Sequence, residues 1–229
     1  MLSLCYTGPM LSNLHPDFKI QGITCRLKAS APHLSREDVE GEVQNLHHKL
    51  TEAYGELGRG ELKRLDMLQP FVRYFKQFKK TYHLFLQLES FVHKNRPLPF
   101  ITPLVTAYFL TELETGVLAS AHDLDKIVPE LSLEKAVGDE KLTLLSGEER
   151  TAPPGDALLK DAEGLLTCVI QGQDTRTLLG PKSRNAAYFV YGPPGVGDQT
   201  LDQALRILSG HLKSWYGEAV HIEDIEKQG

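Results

Sequence analysis

Cysteine is scarce: Cys5, Cys25 and Cys168 are three in 229 residues, far apart and in no paired spacing. That excludes a zinc finger, whose ligands come in close pairs, and gives no disulfide framework. A reducing compartment suits such a chain, and the cytosol is the expected location. Long apolar runs are missing as well. No stretch reaches the roughly 18–20 apolar residues that a membrane-spanning helix needs, so no membrane partner is expected. The opening "MLSLCYTGPMLS" has neither the basic start nor the sustained apolar core of a secretion signal. Positive charge is also short: 25 Lys and Arg against 30 Asp and Glu give a net charge of -5 and a pI near 6.0. A protein that grips nucleic acid by bulk electrostatics is basic, so DNA is not expected as a partner and any RNA contact must come from a local patch.

What remains is ordinary globular composition, 41% hydrophobic and 24% charged, with a mean hydropathy of -0.25. That is enough for one sizeable core. One stretch, "YFVYGPPGVGDQT" at 188–200, imitates a strand followed by a phosphate-binding loop. Gly192 and Gly197 have the right spacing, but Asp198 stands where a lysine must reach the phosphates and Gln199 where a hydroxyl must hold magnesium. A carboxylate there repels a polyanion, so the chain is not an ATPase. The stretch reads as a Gly/Pro turn between a strand and a helix that Asp198 caps.

Periodicity predicts helices early and strands late. "DFKIQGITCRLKAS" alternates like a strand, and Ser35 with Asp38 forms a capping box that opens a helix through Val39, Val43, Leu46, Leu50 and Leu57. After Pro70, "FVRYFKQFKKTYHLFLQLESFVHKN" reads as a single helix with an aromatic stripe. A third helix spans about Ile101 to Glu114, with Ile101, Leu104, Val105 and Tyr108 on its apolar face. Beyond Gly116, "LSLEKAV", "EKLTLLS", "DALLKDAEGLLTCVIQG" and "AYFVYG" read as short strands, with a hairpin at "KDAEG"; a last amphipathic helix runs from Leu201 to Trp215. No repeat or linker divides the chain, and residues 1–229 read as one α+β domain.

Three clusters are candidates for chemistry. Arg73, Lys76 and Lys80 would share a helix face and suit RNA phosphates, although a solvated face is the simpler reading. In "AHDLDKI", His122 lies beside Asp123 and Asp125; adjacent residues diverge, so a metal is not expected, and an aspartate capping a short turn is the simpler reading. "QGQDTRTLLGPKSRNAAYFVYG" gathers Asp174, Arg176, Thr177, Lys182, Ser183, Arg184 and Asn185 between two strands. That is a polar loop suited to a phosphate, carboxylate or ribose, or to a salt-bridged turn. No serine-nucleophile elbow is present.

At this point order and wording converge on a family. "PLPFITPLVTAYFLTELETGVLASAHDLDKIVPELSLEKAVGDEKLTLLS" resembles the B3/4 (B3/B4) editing domain of the phenylalanyl-tRNA synthetase β subunit, and "DTRTLLGPKSRNAAYFVYG" looks like its freestanding members. The resemblance runs from roughly Leu14 to Trp215 and is strongest over residues 95–195, leaving 1–13 and 217–229 peripheral. It implies a closed β-barrel-like core with a helical insert and no cofactor. It also implies recognition of the aminoacylated 3′ end of a tRNA, with hydrolysis of a wrongly attached amino acid as the reaction; the modest basic patch and acidic net charge favour a weak or transient contact. A non-catalytic module that binds tRNA or an amino acid is the alternative. The family's pocket asparagine falls on Phe109, its histidine on Ser120 and its glutamate near Phe189, while a pocket glycine is kept at Gly172. The tyrosine-editing chemistry therefore does not carry over directly. His122 or Asp174 becomes the catalytic candidate; Tyr108, Phe109, Ser120, Gly172, Arg176, Thr177, Asn185 and Phe189 become the substrate-binding candidates. Arg73, Lys76, Lys80, Lys182 and Arg184 are the RNA-binding ones.

Overall fold

The computed structural model describes residues 11–228, so Cys5 and the rest of the opening stretch lie outside it. In chain order the elements begin with β1 (Leu11–Asn13), β2 (Lys19–Leu27), α1 (Arg36–Tyr54), α2 (Arg59–Leu62), α3 (Gln69–Gln77), α4 (His83–Lys94) and α5 (Pro103–Thr115). Strands dominate the second half: β3 (Ala119–Asp123), β4 (Leu131–Lys135), β5 (Lys141–Thr143), β6 (Glu149–Thr151), β7 (Ala157–Asp161), β8 (Gly164–Cys168), β9 (Gly172–Gln173) and β10 (Asn185–Gly192). The chain closes with α6 (Asp198–Tyr216), β11 (Val220–Asp224) and β12 (Lys227–Gln228). This is the mixed α+β arrangement that the periodicity predicts.

One sheet runs β11–β2–β10–β3, entirely antiparallel. Its strand β10, "NAAYFVYG", is buried from Ala186 to Gly192, as expected of a strand covered on both faces. Helices α5 and α6 pack on each other and on this sheet. A second sheet runs β12–β1–β4–β7–β8–β9, with β1 parallel to both its neighbours. Its β7–β8 hairpin turns where "KDAEG" predicts, and Asp161 Oδ1 accepts the amides of Glu163 and Gly164, each at 3.0 Å. β5 and β6 pair separately. Among the described residues no ladder joins these sheets into the closed barrel that the resemblance implies. Toward the ends of the described chain, Leu11 in β1 is buried, and β11 forms an edge of the first sheet.

The long aromatic helix after Pro70 is in fact two. Lys79 takes a left-handed conformation (φ 56°), and the amide of Lys80 bonds back to the Phe75 carbonyl at 3.0 Å, ending α3. The reversal stacks Phe71 on Tyr82 at 4.8 Å, so the stripe builds core. It also takes Lys80 off the helical face that Arg73 and Lys76 share. Elsewhere the capping box holds, with the Ser35 amide on Asp38 Oδ2 at 2.7 Å. Ile101 precedes α5 and is 44% exposed, so it is not part of that helix's buried face. The cap of α6 is Gly197; Asp198 is the first helical residue and pairs with Lys19 at 2.7 Å.

A buried carboxylate ties the helices to the second sheet. Asp156 accepts hydrogen bonds from the Tyr74 hydroxyl of α3 (2.6 Å), the Cys168 thiol of β8 (2.8 Å) and the amides of Ala157 and Ile170 (2.8 and 2.9 Å). Four donors offset part of the cost of burying the charge, and burial still holds the Asp156 pKa above the usual carboxylate value.

Candidate functional site

Helix α5 organises the site. Thr102 caps it by accepting the Val105 amide at 3.2 Å, Pro103 sits in the first turn, and Gly116 ends it at φ 70°, a conformation that favours glycine. Tyr108 and Glu112, one turn apart, share a face with Phe109 beside them. Opposite them lie Thr167 and Cys168 of β8 and the loop Val169–Gln173, while His83 and Gln87 of α4 form the third wall. The cavity between these walls measures about 380 Å³, within the usual range for small-molecule sites. Gly172 takes φ 111°, which lets the loop double back into β9; a Cβ there would meet only Leu144 Cδ2 at 3.9 Å, an ordinary contact, so backbone conformation and not crowding selects glycine.

Glu112 is 2% exposed, and one carboxylate oxygen accepts the Ala119 amide at 2.9 Å. Burial pushes its pKa from 4.5 up to about 8, against the smaller opposing effect of that amide bond, so the side chain is largely protonated at neutral pH. Burial also pushes His83 from 6.5 down to about 4, leaving it neutral. Both titratable walls are therefore uncharged at pH 7. The Tyr108 and Phe109 rings, 4.4 Å apart and tilted, add an aromatic surface. Such a cavity suits an organic group of amino-acid size, with the Glu112 acid as a hydrogen-bond donor. Among the described residues no three His, Cys, Asp or Glu side chains converge to hold a metal.

Of the sequence candidates, Tyr108, Phe109 and Gly172 line this cavity and the others do not. His122 is fully buried in β3. Its Nδ1 meets the Thr177 hydroxyl at 2.7 Å; its Nε2 meets the hydroxyls of Thr167 at 3.0 Å and Ser120 at 3.1 Å. Ser120 also bonds the Tyr191 hydroxyl at 2.7 Å. Burial, with Arg176 nearby, pushes His122 from 6.5 down to about 3. Phe189 pairs across the ladder with Ser120, is fully buried, and its ring lies 5.9 Å from that of His122. Asp174 spends both oxygens on backbone, on the amides of Arg176 (2.8 Å) and Thr143 (2.7 Å). Arg176 pairs with Asp161 at 2.6 Å and Glu163 at 3.3 Å, and Asn185 bonds both Asp125 oxygens. Asp123 caps the turn after β3, as expected. Lys182 and Arg184 line a different cavity, at the other end of α5.

Sequence reasoning missed Glu112. The signal was there: Glu112 continues the stripe Leu104, Tyr108 at a spacing of four, a carboxylate in an apolar row. His83, Gln87 and Thr167 gave none, because they reach the site only through the α3–α4 reversal and the β8 register.

The B3/4 domain family model matches residues 69–186, just over half of the chain. The chain belongs to the B3/4 domain family. That match holds all the cavity walls of this B3/4 protein, from His83 to Gln173, and leaves out α6. Among solved structures, an N-terminal fragment of the phenylalanyl-tRNA synthetase beta-subunit from Pyrococcus horikoshii is similar at a TM-score of 0.51 and 15% identity. The likeness covers 96% of this chain, which spans about half, 51%, of that fragment. At that identity it speaks for the fold. Among curated proteins none matches. No helix among the described residues is long and apolar enough to cross a membrane.

Proposed function

We propose that this B3/4 protein recognises the aminoacylated 3′ end of a tRNA, with the α5 cavity taking the amino acid. The observation that carries the reading is the cavity itself, two aromatic rings and a buried acid around about 380 Å³, in a chain of this family. The aromatic walls remove an apolar or aromatic side chain from water, and each fully buried side chain of that size is worth about 1.5–3 kcal/mol. The protonated Glu112 donates to a hydroxyl or carbonyl of the ligand, and a ligand lacking that acceptor leaves it unpaired.

Hydrolysis of the aminoacyl ester is the second half of the proposal. His122 and Asp174 already spend their polar atoms on the fold, which argues against either as the base. A water held in the cavity, assisted by the tRNA's own terminal hydroxyls, is the mechanism that fits these residues. The test is deacylation of correctly and wrongly charged tRNAs by catalytic amounts of protein, with binding measured in parallel. Turnover on one mischarged species supports an editing hydrolase. Binding without turnover supports the recognition module alone, and the absence of both sinks the reading.

A further inference from the structure

A second cavity, of about 340 Å³, opens at the far end of α5 and plays no part in the site above. Its walls come from three separate stretches: Leu27 to Leu34 after β2, Phe100 to Leu104 at the start of α5, and Pro181 to Arg184 before β10, with Tyr216 as floor. Two properties set it apart. The first is charge. Lys182, Arg184 and His33 line it, and not one Asp or Glu does, in a chain with a net charge of -5. No carboxylate pairs with Lys182 or Arg184 among the described residues; Arg184 is instead held by the carbonyls of Lys28 (2.6 Å) and Ala31 (3.4 Å). Carbonyl oxygens orient a guanidinium without neutralising it, so the cation is positioned and its charge is unspent.

The second property is an apolar body behind the cations. Phe100 and Leu34 are half-buried, Tyr216 is 7% exposed, and Ile101 stands 44% exposed at the rim. A free inorganic anion has no use for such a wall. A nucleotide does: its phosphate meets the cations while its base lies on the aromatic and aliphatic surface, the combination by which unpaired strands are held.

Spacing then decides between a lone nucleotide and a strand. Leu104 in this cavity and Glu112 in the first are eight positions apart on one helix, which is about 12 Å at ~1.5 Å per residue. At ~3.4 Å per stacked nucleotide that is the length of three or four nucleotides. We infer that this cavity is a phosphate-and-base subsite for unpaired RNA, and that one single strand lies along α5 with its end in the first cavity. The inference rests on the functional reading above and extends it by naming where the strand enters.

The experiment is a salt titration of tRNA binding to the full chain and to three variants. Lys182→Glu touches an exposed side chain with no partner, so its fold is retained, and a thermal melt verifies that. It lowers affinity about tenfold or more, and the slope of log affinity against log salt falls by about 0.7 for each single-strand phosphate that the protein no longer neutralises. Phe100→Ala weakens binding while leaving the slope unchanged, because it removes stacking and not charge. Lys63→Glu, an exposed position that lines neither cavity, changes little. The same titration on a tRNA trimmed of its last four nucleotides shows no difference between wild type and Lys182→Glu.

The subsite is overturned if Lys182→Glu binds full-length tRNA as wild type does, with the same slope; tRNA binding by wild type then still stands. Persisting sensitivity to Lys182→Glu on the trimmed tRNA overturns the single-strand assignment, since Lys182 would be touching duplex. Adenosine monophosphate bound at Lys182 in a protein that binds no tRNA replaces the strand by a small nucleotide and removes the functional reading as well.

Discussion

His122 and Glu112 are both ionisable and both shut away from water, yet they stand in opposite kinds of surroundings. His122 meets hydroxyls of Thr177, Thr167 and Ser120 at 2.7–3.1 Å, and Phe189 closes over it. Glu112 has the Ala119 amide on one oxygen and a cavity beside it. A buried polar group whose capacity is filled by the fold belongs to the fold. One with capacity to spare, next to a space of amino-acid size, is where a ligand gains specificity. Proximity of a histidine to aspartates in the sequence pointed to the first; only the second has room to act.

The most severe way to break this comparison is His122→Ala. It leaves three buried hydroxyls without their shared partner, and the expected loss is about 3 kcal/mol of stability or more, read from the denaturant midpoint. A loss below about 1 kcal/mol would mean that the network is not structural.

The two groups also pull stability in opposite directions with pH. Burial raises Glu112 from 4.5 to about 8, so its contribution is complete below pH 4.5 and is lost as pH climbs to about 8. His122 is lowered from 6.5 to about 3; its contribution is complete above pH 6.5 and is lost as pH falls toward 3. Glu112→Gln, which still accepts the Ala119 amide, removes the alkaline loss and gains about 1–3 kcal/mol at pH 8 relative to wild type, with little change at pH 4. Thermal unfolding across pH 4–9 checks it, and parallel wild-type and variant curves would refute the burial argument.

Function separates the two regions more finely. Phe109→Ala, on the cavity wall, is expected to weaken binding of an aminoacylated end about tenfold while costing only about 1 kcal/mol of stability. Binding titrations and unfolding on the same sample decide whether the two effects dissociate. Least of all should follow from Lys126→Ala at the rim of the His122 region. That ammonium lies 3.6 Å from Asp123 and its side chain is 48% exposed, so the change in unfolding free energy stays under about 0.5 kcal/mol.

How much of this was legible in the sequence follows from the range of the forces involved. The Ser35–Asp38 box, the "KDAEG" hairpin and the turn cap at Asp123 depend on residues a few positions apart, and each reads directly from the chain. The break at Lys79 did not. Nothing local demands it; the stacking of Phe71 on Tyr82 across the reversal does, and that is a tertiary reward. Within the site, Tyr108, Phe109 and Gly172 came from the family resemblance, while the same resemblance carried Ser120 and Phe189 among the candidates. Those two face each other across β3 and β10, but at Phe189 a full aromatic ring fills the interior beside His122. Lys182 and Arg184 were legible as a basic pair, and only the fold shows the aromatic wall behind them.

Cys168 has a consequence for chemical probes. It borders the α5 cavity, which makes it an obvious anchor for a covalent ligand. Its thiol, however, points its hydrogen at Asp156 across 2.8 Å, and burial together with that carboxylate pushes its pKa well up. An electrophilic warhead carried into the cavity would find a sulfur that does not become a thiolate. Oxidants should spare it for the same reason. The cavity should resist being labelled.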